Sequence, residues 1–249
     1  DERGGSNVPE RHADRKALVL ADPYTDYSHP EVGTATVRVL EAAGVHVVVP
    51  DDVTDSGRPA FSKSMLDHAR ETAHGNVEAL TPWIRDGWDV VCVEPSDAVM
   101  YQLDYRDLLS GEAVDTVASN TYGVCEYLDS HRLLERVEFG AAGGPLAYHG
   151  HCHQKATTKD HHAVGVLRRA GYTVDPLDSG CCGMAGSFGY EAEHYSMSEA
   201  IAGLLIDQIA DSPAEQVVAP GASCRSQLDD FGADAEPPHP IEKVAAALD

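Results

Sequence analysis

The chain repeats itself, and the repetition restricts its fold more than any other feature. In the first half, Thr36-Val37-Arg38-Val39-Leu40-Glu41-Ala42-Ala43-Gly44-Val45-His46-Val47 matches Ala163-Val164-Gly165-Val166-Leu167-Arg168-Arg169-Ala170-Gly171-Tyr172-Thr173-Val174 in the second. Val39 and Val166 stand 127 positions apart (166 − 39). Each segment has the pattern of an amphipathic helix ended by Gly and followed at once by a strand. A turn follows in both copies, Asp55-Ser56-Gly57-Arg58-Pro59 and Cys181-Cys182-Gly183-Met184-Ala185. Further on, Val90-Val91-Cys92-Val93 runs into Glu94-Pro95-Ser96-Asp97. Its counterpart Gln216-Val217-Val218-Ala219 runs into Pro220-Gly221-Ala222-Ser223-Cys224. Apolar blocks such as Ala17-Leu18-Val19-Leu20 suit strands buried on both faces, and strands alternating with helices build parallel sheets.

The expected fold class is therefore α/β, with two tandem Rossmann-like three-layer repeats on short parallel sheets. Residues 1–15 read as a linker-like opening. The first repeat covers 16–140 and includes a connecting helix from Asp115 to Glu138. The second covers 141–249, after a boundary at Ala141-Ala142-Gly143-Gly144-Pro145, and Pro240 opens a closing helix.

A chain of 249 residues, 43% of them hydrophobic, buries a substantial core. No apolar run approaches the roughly 20 residues of a membrane-spanning helix. The opening Asp1-Glu2-Arg3-Gly4-Gly5-Ser6 has no basic n-region or apolar core, so no secretory signal is expected there. It has the character of a linker, and an upstream region of a longer polypeptide is expected. The 41 acidic residues outnumber the 18 basic ones, for a net charge of −23. Such a surface repels a phosphate backbone and argues against nucleic-acid binding. The acids are scattered rather than gathered in one patch, as a salt-adapted surface requires; at about 1 M salt the Debye length is only about 3 Å. A halophile source and a cytoplasmic location are expected, with any membrane association made through partners. No G-x-G-x-x-G follows a strand, and there is no G-x-S-x-G elbow.

The repeat also sorts the cysteines. Cys152, Cys181, Cys182 and Cys224 fall where the first copy has Thr25, Asp55, Ser56 and Asp97. The second copy thus concentrates thiols at the turns after its strands, where ligands collect in open α/β folds. Four converging thiolates are the ligand set of a 4Fe–4S cluster. Soft sulfur also suits Zn²⁺, but structural zinc sites usually pair their ligands as C-x₂₋₄-C, and adjacent cysteines make poor zinc knuckles. Spacing favours a cluster over zinc or structural thiols without excluding either. Gly183, Gly186 and Gly189 let the backbone approach and aim N–H groups at sulfur. Lys155 and Arg225 are candidates to offset cluster charge. His149, His151 and His153 are expected to shape the pocket or hydrogen-bond to sulfur rather than to ligate. Cys92 and Cys125 lie in apolar contexts and read as small core hydrophobes. Gly57-Arg58-Pro59 reads as a tight turn rather than an anion site. No catalytic residue is assigned.

Three segments carry a resemblance: Gly150-His151-Cys152-His153-Gln154-Lys155-Ala156, Gly180-Cys181-Cys182-Gly183-Met184-Ala185-Gly186-Ser187-Phe188-Gly189 and Ser223-Cys224-Arg225-Ser226-Gln227. They resemble the cysteine-rich CCG domain found in the B subunit of heterodisulfide reductase and in the iron–sulfur subunits of anaerobic glycerol-3-phosphate dehydrogenase and glycolate oxidase. The same domain occurs in the C-terminal region of FAD-linked D-lactate-type dehydrogenases. His29-Pro30-Glu31, Gly57-Arg58-Pro59 and Glu94-Pro95-Ser96 extend the resemblance into the first half, so it runs from about Leu18 to Leu248. It implies tandem CCG domains, a cluster, and electron transfer from a flavin that oxidises a 2-hydroxy acid or glycerol 3-phosphate to a quinone or other carrier. The implied partners are a flavin-containing dehydrogenase subunit or domain holding FAD, a ferredoxin-type iron–sulfur subunit and a membrane quinone. The family motif ends C-x-x-C, whereas the last position here is Gln227, and the first copy carries Asp55-Ser56 and Asp97 in place of cysteines. That copy is expected to hold no cluster. A disulfide reductase subunit and a zinc-stabilised docking module are the alternative readings.

Overall fold

A computed structural model describes residues 6–53, 55–141, 143–232 and 236–248. The chain forms two compact units, Asp1–Val137 and Glu138–Asp249. The boundary expected at 141–145 includes Ala142, which lies outside the described residues, as do residues 1–5 of the linker-like opening.

The first unit is built on a parallel sheet of β1 (Arg15–Leu20), β2 (Val45–Val48), β3 (Trp88–Cys92) and β4 (Thr121–Gly123), in the order β2-β1-β3-β4. From Ala17 to Leu20 and throughout β3 every residue is buried, the condition of a parallel strand covered on both faces. Helix Pro30–Ala42 connects β1 to β2 and buries Val32, Ala35, Thr36, Val39 and Leu40, one stripe at helical spacing. Gly44, at φ 80°, takes the left-handed conformation that ends this helix and turns the chain into β2. Helix Leu66–Arg85 packs Ala69, Ala73, Val77, Leu80 and Ile84 into a core shared with Leu18, Val90, Met100, Tyr101 and Tyr105.

The stretch from Asp115 to Glu138 is not the single connecting helix that its sequence suggests. Helix Glu112–Ser119 stops at Asn120, β4 follows, and helix Val124–Ser130 then begins. The Asn120 carbonyl accepts from Val90 N–H at 2.8 Å, so the interruption is where the chain joins the open edge of β3. Three residues are too few to show a period-two pattern, and the strand is therefore invisible in sequence.

The second unit has three short parallel strands, β5 (Leu146–Tyr148), β6 (Val174–Pro176) and β7 (Gln216–Val218), ordered β6-β5-β7. This is the first unit's order without its fourth strand, with β5 central and wholly buried. Helices Cys152–Ala156, His161–Arg169, Tyr195–Asp211, Ala222–Phe231 and Pro240–Ala246 surround it. Phe139 bridges Leu248, and the Gly140 N–H donates to Ala247 O at 2.9 Å, tying the end of the unit to its beginning.

Both tryptophans, Trp83 and Trp88, lie in the first unit and meet edge to face at 5.1 Å, so indole fluorescence follows that unit alone. Leu18 is fully buried in β1. Leu18→Ala is expected to cost the first unit about 2–5 kcal/mol, read as a lower urea midpoint in tryptophan fluorescence.

Candidate metal centre

Parallel pairing brings the carboxyl ends of β5, β6 and β7 to one edge, and the turns leaving them carry the reactive side chains. After β5 come His149, Gly150 and His151, and Cys152 opens its helix. His151 caps that helix by accepting from the His153 N–H at 3.3 Å. The turn after β7 packs directly on this one. A Cβ at Gly221 would lie 2.3 Å from His151 Cδ2 and 3.4 Å from Cys224 Sγ, so only glycine admits the approach.

The vicinal cysteines sit in a turn that is held from below. Gly183 has φ 103°, and a Cβ there would meet Ser198 O at 2.4 Å. The Gly183 N–H donates to Cys181 Sγ at 3.3 Å. Ser198 Oγ donates to Gly183 O at 3.0 Å. Gln227 Nε2 donates to Ser198 Oγ at 2.9 Å and to Ser198 O at 3.2 Å. Gln227, fully buried, thus clamps the turn through Ser198. Nothing around Ser198 in the sequence marks it; its role arises from helix Tyr195–Asp211 passing beneath the turn.

The Sγ atoms of Cys182 and Cys224 and a ring nitrogen of His149 all lie within 4.8 Å of one another, and all three residues are buried. Cys181 and Cys152 stand outside this group of three. Cys181 hydrogen-bonds to Cys182, and that bond, together with burial, raises its thiol well above the usual range. The bond from Cys181 lowers the Cys182 pKa, but the bond to Cys224 and burial outweigh it and push that thiol up to about 12. Metal uptake here must therefore displace thiol protons. Cys152 is half-buried at the first turn of its helix.

Lys155 bends back over Gly150 and donates to Ser179 Oγ at 3.0 Å and to Ser179 O. Burial lowers its pKa, while Asp160, Cys224, Asp178 and Cys152 pull the other way, so this cation is felt at the thiols. Arg225 is placed differently: buried, it donates to Glu236 Oε1 at 3.2 Å and to Pro220 O at 3.3 Å. Cys92 and Cys125 are core residues of the first unit, their pKa values raised chiefly by burial, that of Cys125 to about 12.

The donor chemistry fits a thiophilic centre: two or more soft sulfurs and an imidazole, with a buried ring nitrogen of His149, Nε2, lacking any hydrogen-bond partner. Residues 146–229 match the cysteine-rich domain family, CCG.

The matched residues include Cys152, Cys181, Cys182 and Cys224. Over both units the chain is 27% identical across 230 residues to the C subunit of anaerobic glycerol-3-phosphate dehydrogenase from Escherichia coli K12, covering 90% of this chain and 57% of that one. It is 29% identical across 219 residues to the D-2-hydroxyglutarate dehydrogenase of the same organism, covering 86% of this chain and 21% of the relative. It is also 27% identical across 209 residues to lactate utilization protein A of Bacillus pumilus SAFR-032, covering 80% of this chain and 83% of that one. The chain thus spans just over half of the first of these relatives and a fifth of the second.

The corresponding corner of the first unit has oxygen in place of the cysteine-rich domain's sulfur. Asp22 and Asp97 stand 127 positions before His149 and Cys224. Asp22 caps helix Pro23–Tyr27, accepting from Tyr24 N–H at 2.9 Å and from Thr25 Oγ1 at 2.5 Å. Ser56 Oγ donates to Asp97 Oδ1 at 2.5 Å. Arg58 follows the left-handed Gly57 in a tight turn; it pairs with Asp104 and donates to Ser96 O. Hard oxygen donors suit an iron–sulfur cluster less well than thiolates. Burial pushes the Asp97 carboxyl up to about 8 against the Ser56 bond, with Glu94 and Asp22 adding repulsion. Burial and Glu94 raise Asp22 in the same sense.

A carboxyl that binds its proton more tightly when folded stabilises fully below its unfolded pKa, and that stability is lost as pH rises through the folded value. The first unit should therefore weaken between about pH 4 and about 8. Asp97→Asn should flatten the decline, by on the order of 1 kcal/mol per pH unit, in urea titrations followed by tryptophan fluorescence.

Proposed function

We propose that this chain is the iron–sulfur component of a flavin-linked dehydrogenase. Electrons leave FAD on a partner or upstream domain, pass through a 4Fe–4S cluster in the second unit, and go on to a quinone or another carrier. The observation that carries this reading is the buried meeting of Cys182 Sγ, Cys224 Sγ and a His149 nitrogen, with Cys181 hydrogen-bonded alongside, in residues matching the cysteine-rich domain.

The cluster supplies one-electron carriage, and the chain supplies its environment. Cys152, Cys181, Cys182 and Cys224 are the proposed thiolate pool. The Gly183 N–H donates to sulfur, which stabilises negative charge there. Lys155 offsets the same charge from the Ser179 side. Met184, Leu205, Ala219 and Leu228 pack around Cys182 and Cys224 and keep water from the sulfurs. The first unit, with oxygen donors at the matching corner, serves as a structural or docking half.

The relatives' names point to the substrate class of the flavin partner: glycerol 3-phosphate or a 2-hydroxy acid. A ferredoxin-type iron–sulfur subunit is a further partner. No helix among the described residues is long and apolar enough to cross a membrane. A membrane quinone would be reached through partners. The net charge of −23 suits a cytoplasm of high salt.

Anaerobic purification is expected to give a brown protein containing iron and acid-labile sulfide. Cys182→Ser should lose the colour and the reduction of an artificial dye together. Stoichiometric zinc without iron would overturn the assignment and favour a docking module. If the surface is salt-adapted, the thermal midpoint rises steadily as KCl is raised from 0.1 to about 2 M, where screening is nearly complete; a flat response removes the halophile reading.

A further inference from the structure

We infer that His149 is itself a ligand of the metal centre, placing an imidazole nitrogen beside the thiolates of Cys182 and Cys224. The inference deepens the iron–sulfur reading and rests on it for the identity of the metal, but not for the role of the histidine.

Three observations converge on this residue. His149 follows β5 directly and is 1% exposed, so its ring orientation is fixed by packing rather than by solvent. One of its ring nitrogens shares a sphere of 4.8 Å with both buried sulfurs. The two nitrogens also have opposite circumstances. Nδ1 lies 2.6 Å from Ser179 Oγ, whereas Nε2 is buried with no hydrogen-bond partner.

The Ser179 contact is compatible with the tautomer that a ligand needs. Ser179 Oγ already accepts a proton from Lys155 Nζ, and Ser179 O accepts a second. With Lys155 donating, Oγ retains a lone pair that can accept from His149 Nδ1–H, and in that tautomer Nε2 is a bare lone pair. This is the arrangement of metal-ligating histidines, in which the far ring nitrogen donates to an oxygen and the near one faces the metal. Lys155–Ser179–His149 is thus a positioning chain for a nitrogen donor. Coordination would satisfy Nε2, one of several buried side-chain atoms among the described residues that lack a hydrogen-bond partner.

The composition of the buried group points the same way. The last cysteine of the family motif is replaced by Gln227, whose amide nitrogen is committed to Ser198. The buried group holds two of the four sulfurs, Cys182 and Cys224, and an imidazole beside them offers a donor that adds no negative charge. A neutral nitrogen in place of a thiolate makes the centre less negative and easier to reduce, as when His replaces Cys in other iron–sulfur sites.

The test compares the full chain, purified anaerobically, with His149→Cys and His149→Ala. The wild type is prepared with natural and with ¹⁵N-labelled histidine, and each sample is assayed for iron, sulfide and zinc. In the paramagnetic state, pulsed electron paramagnetic resonance should show a strongly coupled nitrogen that shifts on ¹⁵N labelling. His149→Cys should keep its iron, lose that coupling and show a lower reduction potential. His149→Ala should lose at least tenfold in metal retention. Far-UV circular dichroism confirms that each variant is folded, and His149→Cys carries the test if His149→Ala is not. An iron-loaded wild type without strongly coupled nitrogen overturns the inference, as does a His149→Cys protein with unchanged spectrum and potential. If the protein holds zinc and no iron, the iron–sulfur reading fails while the ligand question is still answered. Co(II) then replaces zinc, and its visible bands must change between wild type and His149→Cys if the imidazole is bound.

Discussion

Parallel strand pairing is the constraint on which the second unit depends. Because β5, β6 and β7 run the same way, their carboxyl ends share one edge, and the turns beyond them are forced together. Residues as far apart in sequence as His149, Cys182 and Cys224 meet there without any long-range design in their local sequences. The strands are only three residues long, so the sheet alone is a weak scaffold. Close backbone packing at two glycines supplies the missing precision: Gly221 against His151, and Gly183 against Ser198.

The two units show how one topology takes different chemistry at the same corner. In the first, Ser56 and Asp97 share a short hydrogen bond, Asp22 caps a helix, and burial pushes the Asp97 carboxyl well above the usual range. In the second, the equivalent places carry thiols and an imidazole. The repeat preserves the architecture because buried apolar stripes, such as Val39-Leu40 and Val166-Leu167, are indifferent to what the turns carry. The turns are free to change because their backbone groups are satisfied by caps and local bonds rather than by the identity of the donor atoms.

Charge acts at two scales in this molecule. Over the whole surface, 41 acids against 18 bases produce a diffuse negative field that salt screens. Within the second unit, burial prevents that screening, and single cations acquire weight. Lys155 is held by Ser179 close enough to Cys152 and Cys224 to act on them, whereas Arg225 is spent on Glu236 and a carbonyl. The two residues are indistinguishable as lone cations in sequence.

The sequence by itself determined the α/β architecture, since helix stripes ended by Gly44 and Gly171 and apolar strand blocks admit little else. It also determined which turns are chemically distinctive, because Cys181 and Cys182 fall where the other copy has Asp55 and Ser56. Only the tertiary structure decided the rest. β4 exists because β3 had an open edge, not because Thr121–Gly123 has strand character of its own. His149, read in sequence as one of three alternating histidines that shape a pocket, differs from His151 and His153 only through what surrounds it. His151 caps a helix, while His149 is buried with a ring nitrogen within 4.8 Å of two sulfurs. Gln227 and Ser198 became a clamp because two helices cross beneath one turn. Local periodicity is written along the chain, but a donor atom's role depends on neighbours that folding brings from 30 (179 − 149) to 75 (224 − 149) residues away, and no local pattern encodes them.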